Sequence, residues 1–363
     1  MRARGCFRII LLYDVAESIN LEDVRERLGP RAEAVSPVFP RGTPQYMRFE
    51  RPPIVERGDP IALGSGEQVS SSIKYYGFAA VVVELEAPFD CEWSALPSET
   101  LRWMDAAELE SKTREMVRKH LEQVAPAIVR PTTQWLKEDY FVVELREVET
   151  APGRSATATE LLAEHGAEIA QLVRGETTPL ASRASEEVLQ GSLSYYPSDM
   201  VVVGSSGAVV FDRSEDAAAT IQVLEYARMQ LLEFRYYDAL MTQVLSDLYA
   251  ALERKRNVLL SRWTLPREAK RFNTFRLDVM ELTERIDNAI KFVSDVYYAR
   301  VYELAARRMG VTEYRTMVDE KLRTAGELYD FMMDQFTEAR SFVLEFAIVI
   351  LFVLDIVLLL SGK

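Results

Sequence analysis

Histidine and cysteine are almost missing from this chain of 363 residues, which holds two of each: His120, His165, Cys6 and Cys91. Two cysteines give no disulfide framework and suit a reducing compartment. No Cys or His spacing matches a zinc site, and each histidine lies among charged neighbours in an expected helix, where it reads as a surface residue. Gly64-Ser65-Gly66-Glu67 lacks the Lys-Ser/Thr of a phosphate-binding loop, and Gly204-Ser205-Ser206-Gly207 falls short of the dinucleotide pattern, so both read as turns. Carboxylates abound, but sequence spacing alone makes none of them an acid/base pair. Neither a catalytic residue nor a cofactor nor a metal is expected. Residues 1–214 carry 23 Lys plus Arg against 33 Asp plus Glu, and that acidity argues against direct nucleic-acid binding. An export signal is lacking too: the apolar stretch 9–13 is too short for one and meets Asp14 at once. It reads as a first strand, and the bulk of the chain is expected on the cytoplasmic side.

What is present begins with residues 342–360, an apolar run followed only by Ser361-Gly362-Lys363. As a helix it would rise roughly 28 Å, close to the roughly 30 Å of a bilayer core, and it is expected to span a membrane once. Glu345 and Asp355 interrupt it at a cost of about 2.5 to 3.5 kcal/mol for a central acid. Either both acids reach water at the two surfaces, or Asp355 is held by a neighbouring helix and specifies self-association.

Composition changes near residue 214. The segment 215–340 is near neutral, 19 Lys plus Arg against 21 Asp plus Glu, with Pro266 its one proline. Three parts are expected: an acidic α/β head over 1–214, a helical stalk over 215–341 and the membrane helix over 342–361. In the head, strands are expected at 7–13, 46–50, 72–86 and 140–148, with a hairpin over 200–203 and 208–211. Helices are expected at 21–28, at 98–124 with Ser98 as N-cap, and at 159–174. Seven prolines and five glycines between Gly29 and Gly66 indicate an irregular loop or short edge strands. Tyr75-Tyr76 and Tyr195-Tyr196 read as core-facing strand aromatics.

In the stalk, apolar residues recur at steps of three and four from Leu224 through Phe234, Met241 and Leu248 to Leu252, and again from Phe272 through Leu282 to Val296. The short connection at 261–266 implies an antiparallel hairpin, in which Leu252 meets Phe275, Met241 meets Ile286 and Leu231 meets Val296. Asp238 and Arg300 are the charges in these seams, opposite Ala289 and Ala227, and read as register devices or as ligand positions. Arg254, Lys255, Arg256, Arg262, Arg267, Lys270 and Arg271 crowd the hairpin tip. They form a solvated end or a contact for an acidic partner, RNA or anionic headgroups. A third seam from Val311 through Val318, Leu322 and Ala325 runs into the membrane segment, to pack on the hairpin, on copies of itself, or on both.

The strand-and-acidic-turn 200–216, the long helix with its return, and Leu344-Glu345-Phe346 followed ten residues later by Asp355 resemble the membrane-anchored family named for a requirement in meiotic nuclear division, over about residues 195–361. The return helix echoes that family's aspartate and aromatic cluster only in Asp295, Tyr297 and Tyr298, without the proline, which places the chain in a distant, prokaryotic branch. The resemblance implies no enzymatic activity and a link to translation. The resulting expectation is a tail-anchored, homo-oligomeric scaffold of α+β class in a prokaryotic cytoplasmic membrane, recruiting a cytosolic protein partner to the lipid bilayer. The alternatives are an oligomeric transport or signalling assembly with Asp355 in a polar path, and an unrecognised enzymatic activity in the α/β head.

Overall fold

The computed structural model describes residues 1–34, 53–63, 67–105, 107–151, 153–212, 214–253, 277 and 296–361. The described chain is a mixed α/β protein built on a ten-stranded sheet. At its centre β1 (Arg2–Asp14) pairs antiparallel with β6 (Ala80–Glu92) on one side and β8 (Leu136–Ala151) on the other. Beyond β6 come β5 (Gln68–Tyr75), β4 (Ile54–Ala62) and β3 (Ala32–Ala34). Beyond β8 come β12 (Gly207–Phe211), β11 (Met200–Val203) and β10 (Ser192–Leu193), while β9 (Arg154–Ser155) pairs with the end of β8. A separate pair joins β2 (Ser18–Ile19) to β7 (Ile128–Val129).

Alternation gives the sheet two different faces. Phe7, Ile9, Leu11 and Tyr13 of β1 point one way with Val81, Val83 and Leu85 of β6 and Phe141, Val143 and Leu145 of β8, all buried. Four helices contribute to that core: α1 (Leu21–Leu28), α2 (Leu96–Met104), α3 (Ala107–Gln123) and α4 (Ala158–Arg174), through Val24, Leu96, Trp103, Val117, Leu161 and Ile169. A capping box between Thr157 and Glu160 opens α4. The opposite face carries Arg2, Arg4, Arg8, Ile10 and Leu12, and α6 (Ser214–Glu253) lies against its apolar end. Gly5 marks a register shift between β1 and β8, where a Cβ would sit 1.9 Å from the Glu144 carbonyl oxygen.

Several expectations change. The run 72–86 is two strands, because the chain reverses at 76–79, where the Tyr76 N–H donates to the Ala80 carbonyl (2.9 Å) and Ala79 adopts a positive φ of 73°. The helix expected over 98–124 divides into α2 and α3, and α2 starts at Leu96 with a proline in its first turn instead of a Ser98 cap. Part of the stretch read as loop or short edge strand is the nine-residue β4, paired with β5 and, at 54–56, with β3; Pro60 fits it because the ladder shifts between Gly58 and Ile61. Helix α5 (Ser182–Leu189) was not expected. The strand expected at 46–50, the return helix of the hairpin up to 295 and its tip lie outside the described residues.

The chain separates into two compact units, 1–236 with 284–314, and 237–283 with 315–363. The first contains the sheet, most of α6's sheet-facing residues and α7 (Val296–Met309), whose Tyr302 hydroxyl donates to Gln230 Oε1. In the second, the last turns of α6 and part of α8 (Val311–Ser361) share a small core of Met241, Val244, Leu248 and Ala325, with Leu245, Leu322 and Leu328 packed on it.

Among the described residues no helix is long and apolar enough to cross a membrane. The single-pass span expected over 342–360 is corrected on that ground, and with it the tail anchor, the lipid bilayer as partner and the location in a cytoplasmic membrane. Glu345 and Asp355 supply the physical reason: they leave nine uncharged residues between them, about 13 Å of helical rise against roughly 30 Å of hydrocarbon. A polar transmembrane path through Asp355 falls with the span.

Candidate functional site

The densest chemistry lies on the charged half of the sheet's second face. Arg8 at the middle of β1 donates through Nη1 to Glu84 (2.6 Å) and Glu86 (2.5 Å) on β6, and through Nε to Glu144 on β8 (2.6 Å). Glu144 is fully buried, and its other oxygen accepts from Arg146 (2.7 Å). Glu84 also binds Lys74 (2.9 Å), which reaches Glu225 of α6 (2.5 Å), and the Tyr76 hydroxyl donates to the same carboxylate (2.6 Å). A continuous relay of ion pairs thus crosses four strands and ends on a helix. A second bridge holds Glu138 of β8 against Arg228 (2.6 Å) and Arg235 of α6. Buried charges are tolerated only when each has partners, and here every carboxylate named has at least one cation. Burial pushes the Glu84 carboxyl up, but Lys74 and Arg8 outweigh it and hold the group down at about 2. Burial and the adjoining Glu225 carboxylate raise the Tyr76 phenol well above its ordinary value. Through Lys74 and Tyr76, which both meet Glu225, the relay fastens α6 to the sheet.

A second cluster enters the apolar face itself. Glu56 has core-facing parity in β4 and is 1% exposed; its oxygens meet His120 Nδ1 of α3 at 3.0 Å and Arg31 Nη1 at 3.1 Å. The Tyr75 hydroxyl is buried with no hydrogen-bond partner among the described residues, and burial, with Glu56 beside it, raises its pKa while Arg31 lowers it. His120 is therefore not the surface residue expected; its Nδ1 lies within hydrogen-bond distance of a core carboxylate 64 positions away in sequence. The available signal was the polar residue at a core-parity position of a strand, hidden by the proline-rich context.

The remaining nucleophiles are quiet. Burial pushes the Cys6 thiol up to about 12, and burial with Glu99, Asp90 and Glu92 raises Cys91, so both stay protonated. His165 stands at a kink in α4 (φ −126°, ψ 20°) with its ring 5.5 Å from that of Trp93. It borders a cleft of about 90 Å³ lined also by Thr150, Arg154, Glu160 and Glu164. That volume holds roughly three waters at about 30 Å³ each and falls short of the roughly 300 Å³ at which small-molecule sites begin. Among the described residues no three His, Cys, Asp or Glu side chains converge to hold a metal ion.

Of the positions singled out in the sequence, Asp238 has a partner: Lys321 of α8 at 2.6 Å, which also donates to Thr242 (2.7 Å). Arg300 is exposed on α7. Arg254, Lys255, Arg256, Arg262, Arg267, Lys270 and Arg271 lie outside the described residues, as do the side chains of Glu345 and Asp355. Tyr75 and Tyr76 are buried as expected, whereas Tyr195 and Tyr196 are 56% and 49% exposed, on the turn before β11. One feature passed over as membrane surface stands out. Ile348, Val349, Ile350, Leu351, Phe352 and Val353 are each at least 44% exposed, and Ile356 is 54% exposed.

The family model described as "Uncharacterized protein MJ0711, N-terminal domain" matches residues 4–217. Among curated proteins, the chain is 22% identical over 193 residues to "Uncharacterized protein MJ0711" of Methanocaldococcus jannaschii, across 53% of this chain and 59% of that protein. The chain thus aligns with less than two thirds of that relative's length. No solved structure matches. These matches overturn the resemblance to the meiotic nuclear division family, which rested on spacing in the helical half, and the implied link to translation goes with it.

Proposed function

We propose, for a chain that belongs to the MJ0711 N-terminal domain family, a non-enzymatic role as an assembly scaffold: the α/β head offers a rigid surface to a protein partner, and the helices, arranged as a stalk, associate with further copies. One observation carries the reading. Large apolar side chains at 348–353 and at 356 stand exposed on α8, and contiguous apolar surface of that kind marks an interaction site on a soluble domain. One feature of the head agrees with it: the carboxylates of the relay across the sheet are each paired with a cation. The test is the mass of the purified full-length chain by light scattering, beside a chain ending at residue 341. A full-length oligomer that becomes monomeric on truncation supports the scaffold; a full-length monomer at tens of micromolar, roughly the range in which such interfaces form, overturns it.

A further inference from the structure

Residues 348–353 of α8 leave no polar side. They are six in succession, and five steps of about 100° carry them about 1.4 times around the helix. All six are large, apolar and exposed, from Ile350 at 44% to Leu351 and Phe352 at 66%. A helix that meets a single neighbour needs one apolar stripe of little more than 100°, and its outer face stays polar. Upstream, α8 has two unlike sides: Val318 and Ala325 are fully buried, while Glu320, Arg323 and Glu327 face solvent, with Met317 and Phe331 as exposed apolar exceptions. Over 348–353, apolar side chains occupy every direction.

Their area can be set against what association requires. With Ile356 added, seven side chains at roughly 100 Å² each present on the order of 700 Å² of apolar surface, above the 300–600 Å² of the largest patch on a typical monomer and close to the 800 Å² each partner contributes to a standard interface. The surface is the right size for a stable association and the wrong shape for a dimer, because a two-helix contact leaves half of it wet. A partner must lie on at least two sides of the helix. Identical helices in a closed ring meet that demand with one surface, since each copy then has two neighbours matched in length and apolarity.

We propose that the C-terminal turns of α8 assemble with copies of themselves into a parallel bundle of at least three helices. This rests on the scaffold reading and adds the partner and the minimum copy number. The experiment is sedimentation equilibrium of the full-length chain in detergent-free buffer, with chemical cross-linking to count subunits. Two variants accompany it: L351K/F352K, and F331K as a control at an exposed α8 position outside the patch. A trimer or larger assembly in the wild type and F331K, reduced at least tenfold in association constant by L351K/F352K with the thermal midpoint of the head unchanged, is the expected result. A dimer overturns the bundle and leaves the scaffold standing. A monomer overturns both, as does a monomer that instead partitions onto phosphatidylcholine vesicles. An assembly that L351K/F352K leaves intact also overturns the proposal, because the surface holding it then lies elsewhere.

Discussion

Glu225 is a buried carboxylate with two partners on a different element, Lys74 and Tyr76 of the sheet. Removing it strands Lys74 beside Glu84 alone and leaves the Tyr76 hydroxyl without its acceptor, and breaking a buried pair from one side typically costs about 3–5 kcal/mol. Glu225→Ala should therefore lower unfolding stability in urea by an amount in that range, whereas Glu225→Gln, which keeps the acceptor for Tyr76, should cost less. Asp14, at the end of β1, behaves differently: burial alone pushes its carboxyl up to about 7. A folded-state value above the unfolded one means that the folded protein binds this proton more tightly. Its contribution is complete below about pH 4 and is lost as pH rises through 7, by on the order of 4 kcal/mol. Glu84 works in the opposite direction: held at about 2, its stabilisation is present above pH 4.5 and is lost as pH falls towards 2. Urea midpoints of the wild type should peak in mildly acidic solution, and Asp14→Asn should remove the decline between pH 4 and 8 without changing the acid limb. A variant that declines like the wild type would assign that limb to another group.

At the scale of elements, the charge in the first helical seam has acquired a definite partner. Asp238 and Lys321 join α6 to α8 beside the small core of Met241, Val244, Leu248 and Ala325. A half-buried pair with a third group, Thr242, on the same ammonium should show a coupling of about 1 kcal/mol in a double-mutant cycle of Asp238→Ala and Lys321→Ala. A coupling indistinguishable from zero would make Asp238 a spectator of the helix contact. The sheet's charged face follows a similar logic at strand level. Arg2 and Arg4 sit on the same parity as Arg8, but at the uncovered end, where their pairs with Asp90 and Glu147 are exposed and of small energetic consequence. Under α6, the same parity becomes a buried relay.

For the whole molecule, association through apolar helix ends is driven by removal of that surface from water. Sulfate strengthens such burial and does not loosen it, so the oligomer should persist or grow as ammonium sulfate is raised towards about 0.5 M, while an assembly held by the ion pairs of the head would weaken. Light scattering across a salt series distinguishes the two. In the proposed assembly, the acidic balance of residues 1–214, 23 Lys plus Arg against 33 Asp plus Glu, would set neighbouring heads in mutual repulsion and leave the helices as the contact.

Local pattern was enough for much of the secondary structure. The apolar run at 9–13 reads as β1, the hairpin 200–211 as β11 and β12, and the steps of three and four as α6 and α8, because side-chain periodicity is a property of the backbone and needs no partner to be seen. Single breakers within an apolar pattern misled: Gly77 and Ala79 turn the chain inside what reads as one strand, and β4 threads Pro60 at its register shift. Only the tertiary structure could place Glu56 on His120, Lys74 between Glu84 and Glu225, or Lys321 on Asp238, since the partners lie 64, 10, 151 and 83 positions apart. Which charge a buried charge meets depends on strand order and on the face a helix covers, and neither is encoded by spacing along the chain. The apolar end of α8 is the reverse case: its composition was plain in the sequence, but a run of that kind serves a bilayer, a core or a second copy equally well. Its exposure is a property of the folded chain and the two acids are a property of the sequence, and the association with further copies proposed above rests on both.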